Sequence, residues 1–404
     1  MEKEELKNSR REALRKMALL GTGAILFPSV NLFAGTSSLS AASFKTRPYL
    51  QNPSPTAMTI CWIASTNSFS WVEYGETTEL GQKTIGKKHG MAVANNTVNK
   101  IRLTGLKPAT KYYYRVCSKE IIKLEAYQKE FGMTLNSIKF EFTTPGESPE
   151  KVRALVFNDL HERPASIKAL LNYNTGIYDL VFLNGDLISE FEDQTRAIKS
   201  VIDPCCDNFA TRIPFYFGRG NHETRGAHAF IFSDYFDSPS ENLYYSFTWG
   251  PVYFIVLDSG EDKEDSNFEA YGGLAFFDEY RIEQKIWLEK ELNSPERKAA
   301  KYTVVLMHIP THHAGDWHGT THCRQFIGNT LNKYDISVLI AGHTHSAYYC
   351  PGCTEHNYPI MIGGGPADGK RTLIRLEADS QELNVSMLSD NGTTLSKLQV
   401  NAKK

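Results

Sequence analysis

Metal-ligating side-chain types follow five short apolar segments of this 404-residue sequence. Each segment has the continuous or alternating apolar pattern of a strand and ends at a polar turn. A single Asp or His after a strand is usually an ordinary turn residue, so no position is informative alone. Their recurrence makes them a candidate site. The residues are Asp159 and His161, Asp186, Asn221 and His222, His308, and His343 and His345.

The chemistry that such a set could perform is metal-assisted hydrolysis. Two divalent cations about 3.5 to 4 Å apart need one carboxylate that bridges them, together with neutral imidazoles and amide oxygens that complete each shell without excess negative charge. Such a pair lowers the pKa of a shared water and clamps the oxygens of a phosphoryl group in line. The pattern therefore predicts hydrolysis of a phosphate ester.

The stretch that carries Asp186 shows how these residues could share one sheet edge. Residues 180–183 are an uninterrupted apolar run, which is typical of a strand buried on both faces of a parallel sheet. Asp186 follows at its carboxyl end, where open α/β sheets bind ligands. Gly185 removes a side chain that would keep ligand atoms away from the turn. An ordinary Gly-Asp turn looks the same, so this stretch alone leaves both interpretations open.

The elements around these motifs predict two domains. From Arg47 to about Thr144, short alternating strands separated by turn residues predict a small β-sandwich. Residues 143–149 form a linker rich in turn formers. Strands then alternate with helices, which predicts an α/β domain, and further β-structure at 372–400 closes its sheet. The predicted strands are 152–157, 180–183, 214–217, 252–257, 302–307 and 338–340, and the predicted helices are 164–173, 193–205 and 279–292.

Composition limits the classes of partner. The net charge is −2 and 41% of the residues are hydrophobic, so the chain can bury a large core. Positive charges are dispersed beyond a short N-terminal cluster, and no basic stripe suited to a polyanion is present. We therefore predict a small phosphorylated substrate and no nucleic-acid partner.

The N-terminal segment has the layout of a twin-arginine export signal. Ser9 to Lys16 precedes a modestly apolar run from Met17 to Phe33, and small residues continue to Ala42. Glycines, a proline and an asparagine interrupt the run, so it is a poor spanning helix. We predict that residues 1–42 are a cleaved signal, that the protein is periplasmic or secreted, and that no stable membrane anchor remains after cleavage. An amphipathic surface helix or a membrane anchor is the alternative.

The seven cysteines do not form an evident disulfide framework. Cys61 and Cys117 lie in strand-like runs and are predicted to be buried apolar residues. Cys350 and Cys353 form a C-P-G-C pair that could be a zinc half-site, a redox pair or a tight disulfide. Because the chain has no second such pair, a four-cysteine zinc site is excluded, and a loop staple or free thiols are favoured.

Taken in order, the motifs Asp159-x-His161, Gly185-Asp186, Gly220-Asn221-His222-Glu223, His308 and Gly342-His343-x-His345 resemble the five motifs of the calcineurin-like metallophosphoesterases. Segments 47–52, 72–75, 243–247 and 254–258 resemble the purple acid phosphatase branch. The resemblance implies a two-domain α+β and α/β fold. In it, a fibronectin III-like β-sandwich at 43–146 precedes a four-layer α/β/β/α metallophosphoesterase domain at 150–404.

The resemblance also implies roles for single residues. One metal would be held by Asp159, His161, Asp186 and His345, and the other by Asp186, Asn221, His308 and His343, so that Asp186 bridges them. His222 would bind a phosphoryl oxygen or protonate the leaving group, and Arg219 would add positive charge nearby. A purely structural His222 is the alternative.

This sequence departs from the purple enzymes at two positions. Those enzymes carry Tyr three residues after the bridging Asp, where this chain has Ser189, and their first motif lacks the histidine found here at His161. A ferric-tyrosinate colour is therefore not expected. An imidazole in place of a phenolate leaves the site less anionic, which favours two divalent ions such as Mn, Zn or Fe(II).

The substrate side is less clearly marked. A histidine-rich stretch follows His308, and within it His313 or His318 is predicted to contact substrate, with a solvated loop as the alternative. The expected function is hydrolysis of phosphate monoesters by direct attack of metal-bound hydroxide, without a phosphoenzyme. The alternatives are a phosphodiesterase for cyclic nucleotides or lipid head groups, and a surface binding protein with a vestigial hydrolase domain. The intact ligand set argues against a vestigial domain.

Overall fold

The computed structural model describes residues 42–173 and 176–403, which belong to one compact unit. The export signal predicted for residues 1–42 lies outside the described residues except for Ala42. Within the described ranges, no helix is long and apolar enough to cross a membrane.

One long strand, β2, organises the N-terminal β-rich domain. Its first half pairs with β1 and β6, its second half pairs with β3 and β7, and the register shifts between Ile63 and Ser68. The seven-stranded sheet thereby folds back around one apolar core. The nine strands of this domain, of which β4 and β5 pair only with each other, are β1 (Tyr49–Ser54), β2 (Ala57–Gly75), β3 (Gln82–Ile85), β4 (Lys87–Lys88), β5 (Met91–Ala92), β6 (Ala94–Thr104), β7 (Lys111–Leu124), β8 (Lys129–Asn136) and β9 (Phe140–Thr143).

The two faces of β2 pack into different cores. Ile60 and Trp62 point into the core of the β-rich domain, whereas Cys61 and Ile63 belong to a core that also contains helices of the following domain. Period-two alternation on a strand buried on both faces explains this division. Hydrogen bonds cross the same junction, because the Tyr114 hydroxyl donates to the Thr211 carbonyl oxygen at 2.9 Å.

Twelve further strands form two six-stranded sheets. The first has the order β12-β11-β10-β19-β20-β21, and the second has the order β13-β14-β15-β16-β18-β17. Strands β10 to β12 are parallel to one another, and so are β14 to β16. The strands are β10 (Val152–Phe157), β11 (Leu180–Asn184), β12 (Phe215–Gly218), β13 (Tyr245–Trp249), β14 (Val252–Val256), β15 (Tyr302–Leu306), β16 (Val338–Ala341), β17 (Tyr348–Cys350), β18 (Ile360–Ile362), β19 (Thr372–Ala378), β20 (Glu382–Ser389) and β21 (Thr394–Asn401).

Helices cover the outer faces of both sheets. Two of them are composite and contain a π-helical turn. The helices are α1 (Ala165–Leu171), α2 (residues 194–208), α3 (Phe232–Tyr235), α4 (Phe268–Tyr271), α5 (Phe277–Glu291), α6 (Pro295–Ala299) and α7 (residues 318–331), and short 3₁₀ turns span His222–Thr224 and Ala227–Ile231.

Three apolar cores separate the four layers. The first lies between the first sheet and helices α1 and α2, the second lies between the two sheets, and the third lies between the second sheet and helices α5 and α7. Val156 faces the neighbouring sheet whereas Phe157 faces the helices, as strand alternation requires. The predicted fold class, a β-rich domain followed by a four-layer α/β/β/α domain, is confirmed.

Most predicted strands agree with the structure within one residue, and the β-structure predicted for 372–400 extends the first sheet. Helix α7 was not predicted, because its first turn is the polar sequence HGTTHC. Its apolar side chains Cys323, Ile327 and Leu331 follow at intervals of four residues and are buried in the third core.

Candidate metal centre

The candidate ligands lie on loops at the carboxyl ends of parallel strands. Asp159 follows β10, Asp186 follows β11 and Asn221 follows β12 in the first sheet. His308 follows β15 and His343 follows β16 in the second sheet. The two sheets meet here, since the His343 amide donates to both carboxylate oxygens of Asp159 at 3.0 Å.

Two clusters of ligand atoms share one carboxylate. Asp159, His161, Asp186 and His345 each offer an atom within 4.8 Å of the others, and Asp186, His308 and His343 do the same. Asn221, the remaining predicted ligand, places its Oδ1 3.0 Å from His343 Nδ1. The structure therefore brings together every residue predicted to bind metal, with Asp186 common to both clusters.

The Asp186 carboxylate is buried among imidazoles. Its Oδ2 lies 3.0 Å from His308 Nε2 and 3.7 Å from His161 Nε2. Burial alone would raise the pKa of Asp186, but the neighbouring His308 ring reverses that effect and holds the pKa below its usual range. Asp186 is therefore ionised and available as a bridging ligand.

His308 shows that these residues fit a metal ion. Its Nδ1 donates to the Asn184 carbonyl oxygen at 2.9 Å, which leaves Nε2 to face the site. That nitrogen is buried and lies 3.0 Å from Asp186 Oδ2, in a geometry that does not make a well-formed hydrogen bond. Burial lowers the pKa of His308, but the carboxylates of Asp186 and Asp159 outweigh burial and raise it to about 10. The carboxylates thus draw positive charge to the position that a divalent cation would fill.

The other imidazoles differ in protonation. Burial lowers the pKa of His161 to about 4, and the rings of His222 and His345 add to that effect. Burial and the nearby His308 likewise lower the pKa of His343 to about 4. A hydrogen bond to Asp159 raises the pKa of His345. His161 and His343 are therefore neutral at pH 7, the form in which imidazole binds metal.

The ligand loops hold unusual backbone conformations. The φ angles are +53° at Asp159, +41° at His161, +56° at Asp186, +73° at His343 and +54° at His345. Non-glycine residues rarely adopt positive φ, and each costs on the order of 1 to 3 kcal/mol. Strain of this kind concentrates at functional sites, and here it turns the side chains toward one point.

Two glycines are required by close packing within the site. A Cβ on Gly185 would lie 2.8 Å from the Cα of Gly220 and would collide with the His308 ring. A Cβ on Gly220 would lie 2.6 Å from the Asp186 amide nitrogen. Gly185 was expected to admit ligand atoms to the turn. The structure shows that it admits the metal-ligating His308 instead.

Glu223 is a positioning residue to which the sequence assigned no role. Its Oε2 accepts hydrogen bonds at 2.9 Å from the backbone amides of Asp186 and Gly220, and its Oε1 accepts one at 2.9 Å from Ile188. The side chain is fully buried. It joins the loop after β11 to the loop after β12, so it fixes the geometry of both clusters of candidate ligands.

Replacing Glu223 with glutamine should loosen these loops. Glutamine would aim its own N–H group at backbone amides, which leaves buried donors unpaired at a cost of about 1 to 3 kcal/mol each. We expect a lower melting temperature and a metal affinity about 10- to 100-fold weaker, the range typical of groups that orient ligands. Thermal unfolding and metal titration measure both effects. The exposed Glu130→Gln is the matched control, and equal behaviour of the two variants would remove this role from Glu223.

His222 lies beside the clusters without belonging to either. Its Nδ1 donates to the Ser189 carbonyl oxygen at 2.7 Å, and its amide donates to Asp186 Oδ1 at 3.0 Å. Its Nε2 is 3.9 Å from Asp186 Oδ2. The ring is thus held with Nε2 toward the shared carboxylate, which suits a proton donor to substrate.

Arg225, and not Arg219, is the guanidinium beside His222. Arg225 Nη1 lies 3.2 Å from His222 Nε2, and two further nitrogens bind Glu261 at 2.9 Å. Arg219 instead forms a 2.7 Å ion pair with the buried Asp258. Each arginine thus has a carboxylate partner, and it is Arg225 that also contacts His222. Arg219 precedes the third motif and Arg225 follows it, so spacing alone could not separate them.

The two histidines predicted to contact substrate have other partners. His318 Nε2 lies 2.8 Å from Asp278 Oδ1, at the start of helix α5. His313 Nε2 lies 2.8 Å from His356 Nε2. Neither side chain belongs to the two metal clusters, and their contact with substrate stays a prediction.

Sequence models of two protein families match this chain. Residues 152–347 match the calcineurin-like phosphoesterase family. Residues 45–144 match the purple acid phosphatase N-terminal domain. The second match ends within the linker, at residue 144, and the first covers the candidate ligands from Asp159 to His345.

Curated relatives share low but extended similarity. A probable purple acid phosphatase 20 from Arabidopsis thaliana is 24% identical over 340 residues, covering 78% of this chain and 71% of the relative. Purple acid phosphatase 21 from the same plant is 24% identical over 307 residues, covering 69% of this chain and 60% of the relative. The chain thus spans about two thirds of the length of these relatives.

Solved structures share the fold. A purple acid phosphatase from yellow lupin (Lupinus luteus) seeds aligns with a TM-score of 0.65 and 16% identity, covering 88% of this chain and 74% of the other. A structure described as PhoD aligns with a TM-score of 0.61 and 13% identity, covering 90% of this chain and 94% of the other. At these identities the likeness concerns the fold alone.

Proposed function

This chain carries a calcineurin-like phosphoesterase domain behind a purple acid phosphatase N-terminal domain, and on that premise we propose that it hydrolyses phosphate monoesters at a dinuclear metal centre. The observation that carries the proposal is the buried Asp186 carboxylate shared by two ligand clusters. A carboxylate common to two sets of imidazoles matches the requirement for two cations held close together.

The residues in place specify which side chain would hold each ion. Asp159, His161, Asp186 and His345 would hold one, and Asp186, Asn221, His308 and His343 the other. Oxygen and imidazole ligands suit divalent Mn, Zn or Fe. When bound, such a pair supplies a water-derived nucleophile at neutral pH and offsets charge on the phosphoryl oxygens.

The protein's own groups then orient the ester and manage its proton. His222 is fixed by the Ser189 carbonyl oxygen, so its Nε2 can donate a proton to a phosphoryl oxygen or to the leaving group. Arg225 supports this face with positive charge and is anchored by Glu261. Attack by water without a covalent phosphoenzyme completes the proposal. Release of phosphate to methanol as well as to water would contradict direct attack.

A cavity of about 600 Å³ lies beside Arg225 and could hold the organic part of the ester. Arg225 forms part of its wall, and the opposite walls are largely apolar, with exposed rings at Phe230 and Phe276. A volume of this size takes a small organic group, and apolar walls favour an aryl or alkyl group over a sugar. We therefore place the leaving group on this side of His222.

Replacing Phe276 with alanine should weaken binding of aryl phosphates selectively. Loss of a ring that the bound aryl group would cover costs about 1.5 kcal/mol, or roughly a tenfold rise in KM, with little change in kcat. Methyl phosphate should be unaffected because it does not reach the ring. The matched control is Phe268→Ala, which removes an exposed phenylalanine outside the cavity. Equal effects on aryl and methyl esters would place the leaving group elsewhere.

The function is tested by turnover of mono- and bis-aryl phosphates after reconstitution with Mn, Zn or Fe(II). Metal-dependent turnover with preference for the monoester is the expected result. Preference for the bis ester would make the protein a phosphodiesterase. A folded, metal-loaded protein that turns over neither ester, and whose β-rich domain binds a glycan, would instead be a binding protein.

Export belongs to the proposal as well. Its support is the twin-arginine pattern at Arg10 and Arg11 followed by an interrupted apolar run, in residues outside the described ranges. Cell fractionation of the double variant Arg10→Lys, Arg11→Lys is the test. Unchanged export of that variant would contradict the twin-arginine route.

A further inference from the structure

A third cluster of potential metal-ligand atoms lies apart from the two clusters around Asp186. His313, Cys350, Cys353 and His356 each offer a nitrogen or sulfur atom within 4.8 Å of the other three. None of the four belongs to the clusters around Asp186. The two sites therefore share no ligand.

The cluster joins two loops that are distant in sequence. His313 lies in the loop after β15, five positions beyond the metal-ligating His308, and it has a φ angle of +66°. Cys350 ends strand β17, and Cys353 and His356 lie in the turn before β18. The Cys353 amide donates to the His356 carbonyl oxygen at 2.8 Å, which closes that turn. Three ligands thus come from a C-x₂-C-x₂-H segment and the fourth comes from a separate loop.

The imidazoles are oriented as metal ligands are. His356 Nδ1 donates to the Tyr358 carbonyl oxygen at 2.7 Å, so its Nε2 is left as an acceptor facing the cluster. That Nε2 lies 2.8 Å from His313 Nε2. Two imidazole nitrogens at this distance need a proton or a cation between their lone pairs. His356 is buried whereas His313 is exposed, so a cation could reach this pair from solvent.

The two thiols identify the cation. Both cysteines are free, so no disulfide uses their sulfur atoms. Two thiolates and two neutral imidazoles form a closed tetrahedral set that suits zinc, and their two negative charges balance a divalent ion. We propose that His313, Cys350, Cys353 and His356 bind a structural zinc ion. The ion ties the loop after His308 to the chain that follows His343 and His345, and so braces both metal-bearing loops.

The proposal returns to the zinc half-site that was one of the alternatives for the Cys350 and Cys353 pair. The absence of a second cysteine pair excludes a four-cysteine site, and the sequence alone favours a loop staple or free thiols. The missing half of the site consists of histidines, which sequence spacing does not mark as partners. It also gives His313 a role other than substrate contact.

Cobalt substitution of the full chain tests the proposal, because sulfur ligands occur in this cluster and not in the two clusters around Asp186. Wild-type protein loaded with Co(II) should show near-ultraviolet thiolate-to-cobalt absorption, and Asp186→Asn should retain it. Cys353→Ser and His356→Ala should each lose most of that absorption. Loaded with zinc, wild type should hold about three ions per chain and Cys353→Ser about two.

The matched control is Cys117→Ser, which removes a buried thiol from the β-rich domain and should leave absorption and zinc content unchanged. Absence of thiolate-to-cobalt absorption in the wild type would overturn the proposal. So would a Cys350–Cys353 disulfide in protein isolated from its native compartment, detected by mass spectrometry. Since Asp186→Asn retains this site, failure of the zinc proposal and failure of the dinuclear hydrolase remain distinguishable.

Discussion

Replacing Asp186 with asparagine is expected to abolish turnover, lowering kcat/KM by at least about a thousandfold. The substitution keeps shape and volume but removes the charge that faces His308 Nε2 at 3.0 Å and His161 Nε2 at 3.7 Å. The asparagine amide is neutral and has only one oxygen, so it cannot take the place of a carboxylate between two cations. The number of metal ions bound per chain should therefore fall from two to one or none, as measured by elemental analysis alongside the kinetics.

The fold should survive this change, since the asparagine Oδ1 can still accept the 3.0 Å hydrogen bond from the His222 amide. Asp179→Asn is the matched control, because Asp179 precedes the amino end of the same strand and pairs with Arg153 at 3.0 Å. That variant should keep both ions and full turnover. An Asp186→Asn protein that retains two ions and wild-type kcat would refute the bridging role.

Replacing His222 with alanine is expected to lower kcat by about 10²- to 10⁴-fold, the contribution usual for a positioned acid or base. Its Nδ1 donates to the Ser189 carbonyl oxygen at 2.7 Å, so Nε2, which lies 3.2 Å from Arg225 Nη1, is the nitrogen that can reach substrate. Because His222 belongs to neither ligand cluster, bound metal should stay at the wild-type amount. This separates the His222 variant from the Asp186 variant.

A series of esters shows which proton transfer His222 assists. If it protonates the leaving group, the loss should be largest for alkyl phosphates and smallest for nitrophenyl phosphate, whose leaving group needs little help. A uniform loss would mean that His222 stabilises a phosphoryl oxygen. His228→Ala is the control, since that ring contacts Phe191 and Tyr235. Wild-type kcat in the His222 variant would leave this histidine a structural role only.

The candidate ligands could be grouped from sequence because each lies within a few residues of the end of a recognisable strand. Parallel strands bring their carboxyl ends to one edge, so residue type and order were enough to group Asp159, Asp186 and His308. The structure adds the tautomer of His308, which depends on the Asn184 carbonyl oxygen. Local pattern gives the position of a ligand and long-range contact gives its orientation.

Other functional contacts could not be predicted, because they depend on partners far along the chain. Glu223 binds an amide 37 residues away, and Arg225 binds Glu261 at a separation of 36 residues. His313 meets His356 across 43 residues. Periodicity and turn chemistry act over a few positions and carry no information about such pairs. For the same reason nothing in the sequence indicated Arg225.

The division of strand β2 between two cores limits the independence of the two domains. Cys61 and Ile63 complete an apolar layer that otherwise belongs to the phosphoesterase domain, while Ile60 and Trp62 complete their own. A fragment cut at the 143–149 linker would expose one side of that layer in either half. The linker is thus a boundary in topology, but the apolar core crosses it, and we expect either fragment alone to be less stable than the intact chain.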